Sequence, residues 1–156
     1  MLTKETPKSI RLDVIGLFLA GLINTFLAML DAGIILAPGT NATQSDIFLR
    51  AIWIAEHMPR WQSGWIFWFA VTLSFSWSYY ALGRHLVSRP WPSLAIGLAL
   101  IAAAIDIVGV LINLAVLPEL AQAIANGTNP TLQIIFLSAE KLAYALTNIA
   151  AFGLYS

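Results

Sequence analysis

The sequence contains no cysteine, which excludes disulfides, thiolate metal sites and thiol redox chemistry. Charge is scarce as well: Asp, Glu, Lys and Arg make up 10% of the 156 residues, against about a quarter in a typical soluble domain. Eight basic residues balance eight acidic ones, so no basic surplus exists to hold nucleic acid. Histidine occurs only at His57 and His85. On one helix these stand ~40 Å apart and cannot share a metal or haem; each reads as an interfacial residue. There is no P-loop, HExxH or GxSxG pattern. No motif names a reaction, a metal or a cofactor, and an enzyme is not the favoured reading.

What the chain has is apolar length. Hydrophobic residues make up 59% of it and the mean hydropathy is +0.79, the balance of an integral membrane protein. Four segments reach spanning length: residues 12–36, 61–86, 93–117 and 131–155. Pro38-Gly39 ends the first, Pro118 is expected to end the third, and Asn129-Pro130 suits an N-cap followed by proline at the first helical position. The first apolar run is longer than the 7–15 residues of a signal h-region, so it is expected to persist as a span. Residues 45–57 are too short and too charged to cross, and read as an amphipathic interfacial helix between spans one and two. The expected fold is therefore all-α: one transmembrane domain over residues 1–156, a four-helix up-down bundle with a short interfacial helix.

Orientation follows from basic residues flanking the spans. Lys4, Lys8, Arg11, Arg84 and Arg89 lie on one side, Arg50 and Arg60 on the other, which favours both termini in the cytoplasm. A repeat is also visible: Gly-Thr-Asn-x-Thr at 39–43 and at 127–131, each followed at the same spacing by Ile-Phe-Leu-x-Ala. A two-helix duplication would produce this, and so would chance.

Within lipid, helices meet through small and polar residues rather than leucine. Heptad spacing picks out Asp13, Ala20, Asn24, Ala28 and Asp31 on span one; Ala70, Ser74 and Ser78 on span two; Ala95, Ala99, Ala102, Asp106, Gly109 and Asn113 on span three; Lys141, Ala145 and Asn148 on span four. A charge at the centre of a spanning helix costs roughly 2.5–3.5 kcal/mol on insertion scales, so each needs a partner. Counted inward from the outer ends, Asp106 and Lys141 fall within a turn of each other, and an ion pair between them is expected. Glu140, rotated by about 100° from Lys141, is expected to face Asp31 or a neighbouring helix. Trp61, Trp65 and Trp68 form an aromatic wall along span two. A belt at the interface explains the first two, while Trp68 lies deeper and suits lipid, a partner or a flat hydrophobic ligand.

The candidate ligand or ion site is thus Asn24, Asp31, Asp106, Asn113, Glu140, Lys141 and Asn148, with that aromatic wall. Three functions fit. The first is a non-catalytic subunit or hydrophobic-ligand-binding module of a membrane assembly. Its partners would be the lipid bilayer, other membrane subunits or a hydrophobic small molecule. The second is a small transporter or proton-handling protein using the buried cluster. The third is a membrane enzyme acting on a lipidic substrate, with Glu140 and Asp31 as acid and base.

Overall fold

The computed structural model describes residues 7–41, 43–85, 91–127 and 129–155, and every element among them is helical. Helix α1 covers residues 7–35, with π-helical turns at Ile23–Leu27 and Asp31–Ile35, and ends in a 3-10 turn at Ala37–Gly39. Helix α2 is Ile47–Glu56 and α3 is Met58–His85. Helix α4 covers residues 91–126 with a π turn at Ile112–Val116, and α5 covers residues 130–155 with one at Ala145–Ala151. Lys4 and Arg89 of the orientation argument, and Ala42 and Thr128 of the repeat, lie outside the described residues.

Among the described residues, three helices are long and apolar enough to cross a membrane: Arg11–Ile35, Ser93–Asn126 and Pro130–Ala151. They are compatible with a multi-pass membrane protein. The large apolar side chains on their flanks point outward, Phe18 at 67% exposed, Phe26 at 68% and Ile149 at 63%, a surface fit for lipid and not for water. Helix α3 is 28 residues long but is not among the three, because Gln62, four serines, Thr72 and its basic ends dilute its hydropathy.

The helices pack as neighbours in sequence: α1 on α3, α3 on α4, α4 on α5. The small-residue faces make these contacts. Ala20, Ala81, Ala99, Ala102, Ala143 and Ala151 are all buried. A Cβ on Gly109 would come within 2.5 Å of Thr147 Cγ2 and 3.1 Å of the Ala143 carbonyl, so α4 and α5 meet there at backbone distance. Three of the four expected stripes face inward as read. On α5 the inward face is instead Phe136, Ala143, Thr147 and Ala151, while Lys141 and Asn148 are exposed. Small Ala143 and Thr147 are what fit against Gly109, and that turns Lys141 aside.

Pro118 does not end the third helix. The chain continues helically to Asn126, and the π turn explains how. In it the Leu117 N–H reaches back five residues to the Ile112 carbonyl. The same register would have residue 118 serve the Asn113 carbonyl, which proline cannot do. The Trp61 indole N–H donates to that carbonyl instead, at 2.7 Å, and the Gln62 amide reaches Leu114's at 3.4 Å. The extension Leu117–Asn126 packs against α2, which Asp46 caps by accepting from the Phe48 and Leu49 N–H groups. Here the core is large and apolar: Ile54, Leu117, Ile124 and Phe136 are at most 1% exposed. Asn129 caps α5 as expected, accepting from the Thr131 N–H. The two Ile-Phe-Leu-x-Ala copies differ in setting: Ile47 opens α2, whereas Ile135 lies inside α5.

Candidate functional site

Arg50 lies on the buried face of α2, beside Ala51 and Ile54, and is 1% exposed. One guanidinium nitrogen takes the carbonyls of Gln44 at 2.7 Å and Ser45 at 3.0 Å and the Asn41 side chain at 3.3 Å. The other donates to Glu140 Oε2 at 2.5 Å. Arg50 therefore ties the loop after α1 to α5 and neutralises Glu140. Its signal in the sequence is the spacing of Ile47, Ala51 and Ile54, which carries Arg50 to the edge of the apolar face.

The expected Asp106–Lys141 pair is not formed. Asp106 accepts a short hydrogen bond from the Thr72 hydroxyl of α3, and the Trp68 indole borders the same carboxylate without closing a hydrogen bond. Lys141 is exposed and has no ion-pair partner among the described residues. Glu140 meets Arg50 rather than Asp31. Asp31 itself is fully buried, neither oxygen has a hydrogen-bond partner among the described residues, and a Cβ on Gly64 would lie 2.8 Å from Oδ1. Asn24 accepts from Ser74 at 2.8 Å, joining α1 to α3. At the far end, Asp13 is buried 3.2 Å from His85 Nε2 and 3.8 Å from Arg84, which gives His85 a role between helices. His57 stacks on Trp53, with ring centroids 4.8 Å apart.

A cleft of about 580 Å³ lies between the end of α1, the first half of α3 and the middle of α5. Its wall on α3 is Trp61, Trp65 and Trp68. Trp61 and Trp65 are 2% and 9% exposed, so they face the protein and not the lipid interface. Ala32, Leu36 and Asn41 form the α1 side, Glu140, Lys141, Thr147 and Asn148 the α5 side, and Asn113 of α4 the back. The cleft thus gathers the whole aromatic wall and four of the seven polar candidates: Asn113, Glu140, Lys141 and Asn148. Asn24, Asp31 and Asp106 stand outside its lining.

Four of those seven candidates, Asn24, Asp31, Asn113 and Asn148, lie in π-helical turns, which recur at functional sites. The reach of a polar side chain into the bundle and the widening of the helix coincide. No group of three or more metal-ligating side chains forms among the described residues.

The chain matches no protein-family model, no characterised protein and no solved structure. Function has to be argued from this geometry.

Proposed function

We propose that the protein is a four-span membrane protein whose outer half forms a binding module for a hydrophobic molecule bearing a polar head. In this reading α1, α3, α4 and α5 cross the bilayer, α2 lies at the outer interface, and both termini are cytoplasmic. Two observations support the placement. Buried contacts change from Ala and Gly in the lower bundle to Ile, Leu and Phe around α2 and residues 117–126. Small residues make contacts in lipid, where burying apolar surface gains little, and large ones make them where water drives burial. Large exposed apolar side chains also stop at Ile34 on α1, resume at Ile66 on α3, and stop at Val116 on α4. Leu49, Ile134 and Ile135 are the exceptions, at a depth suited to headgroups. The boundary then runs near Trp61, Asn113 and Glu140, and the amphipathic pair of α2 and Leu117–Asn126 sits above it as a lid.

The observation that carries the binding reading is the cleft. Its volume falls within the range of small-molecule sites, and three tryptophans face a mixed polar wall, which suits an amphiphile. Such a module could act alone or as a subunit. The acid–base reading finds its two acids apart, Glu140 held by Arg50 and Asp31 sealed against Gly64. A transport path finds the bundle below Asn24 closed by Ala20 and Ala81.

The test is native mass spectrometry of protein purified in mild detergent. A bound amphiphile is expected on the wild type and not on Ala145→Trp, which fills the cleft from α5. Identical spectra without a bound species would overturn the reading.

A further inference from the structure

The balance of donors and acceptors in the cleft specifies its occupant. Glu140 is the acidic residue of its lining, and Arg50 already neutralises it at 2.5 Å. Lys141 lines the same cleft with no ion-pair partner among the described residues. A cation in a largely apolar cleft with no partner of its own calls for an anion. The mouth of the cleft is rimmed by Lys141, Tyr144 and Ile149 of α5 and by Ala32 of α1, all exposed. These belong to α1 and α5, so the cleft opens between those two helices, with exposed Asn41 and Asn148 also in its lining; in the four-span reading that opening admits a molecule dissolved in the bilayer.

Resting on the binding reading above, we infer that the cleft takes a single-chain amphiphile with an oxyanion head. The head sits at Lys141, and the chain lies along the tryptophans and Leu36. The volume suits one chain and not a two-chain phospholipid. The oxyanion chemistry is shared by fatty carboxylates, monoalkyl phosphates and small free anions.

Tryptophan quenching by a dibrominated stearate separates these sources, with its methyl ester as the neutral control. The acid is expected to quench saturably, with an apparent affinity at least tenfold above the ester's. Lys141→Met should bring the acid down to the ester's level without changing helical content, and Lys141→Arg should restore it. Acid and ester saturating equally would overturn the oxyanion head while leaving the binding reading intact. Linear, unsaturable quenching by both would overturn the binding reading itself. Displacement of the stearate by equal concentrations of acetate or inorganic phosphate would overturn the amphiphile in favour of a free-anion site.

Discussion

Arg50 and Glu140 are 90 residues apart in the chain and their charged atoms are 2.5 Å apart. The pair couples α2 to α5, with one partner 1% exposed and the other 19%. Removing one member leaves a buried charge unpaired. Glu140→Ala is expected to cost about 3 kcal/mol, the lower end for a broken buried pair because Glu140 keeps some contact with solvent. Arg50→Met with Glu140→Leu should recover most of that loss. Chemical unfolding in detergent measures both, and a single-mutant cost under about 0.5 kcal/mol, the scale of a surface substitution, would sink the claim.

Trp61 and Pro118 are expected to be coupled. Trp61→Phe removes the donor to the Asn113 carbonyl and should cost about 1–2 kcal/mol. In a Pro118→Ala background the new backbone N–H can serve that carbonyl, and the same substitution should cost less than half as much. A double-mutant cycle on unfolding free energies reads the difference. Additive effects would show that the proline and the indole are unrelated.

Thr72 is the hydroxyl donor to Asp106. Thr72→Val keeps the shape and orphans a buried carboxylate, so a loss of about 1–3 kcal/mol is expected. Asp106→Asn still accepts from Thr72 and carries no charge, and should be neutral or stabilising. If Asp106→Asn abolished stearate binding while leaving stability unchanged, Asp106 would belong to the site and not to the helix contact.

Gly109 allows α4 and α5 to touch. Gly109→Val should cost at least about 1–3 kcal/mol by overpacking, since the Ala143 carbonyl, a backbone atom 3.1 Å from the added Cβ, cannot swing away. Gly97, with nothing within 4 Å, is the matched control and should tolerate alanine. Equal effects at the two sites would remove the close-approach argument.

The absence of cysteine makes single-cysteine labelling a direct test of the membrane boundary. Cysteines at Glu119 and Gln122, both exposed on the 117–126 extension, should react with a membrane-impermeant maleimide from outside intact cells. Cysteines at Phe26 and Ile149 should not. Protection of Glu119→Cys would place residues 117–126 inside the bilayer and move the lid with them.

Much of the fold was legible in the chain. Apolar run length marks helices able to cross a bilayer, and small-residue periodicity turned the inward faces of α1, α3 and α4 correctly, because both depend on the spacing of residues along one helix. Asn129 as a cap follows from local chemistry of the same kind. Pro118 misled, since whether proline ends a helix depends on whether another helix supplies the missing donor, and Trp61 lies 52 residues from Asn113, whose carbonyl it serves.

Partnering was the part that only the tertiary structure decided. Depth along a span put Asp106 level with Lys141, but it is rotation about the helix axis that determines which groups meet. Close packing of Gly109 on Ala143 and Thr147 sets that rotation, sending Lys141 to the cleft and leaving Asp106 to Thr72. The scarcity of charge and the long apolar runs specify, from the sequence alone, helices able to cross a membrane. Which carboxylate is neutralised, and which cation is left without an ion-pair partner among the described residues, is settled by contacts between helices distant in the chain.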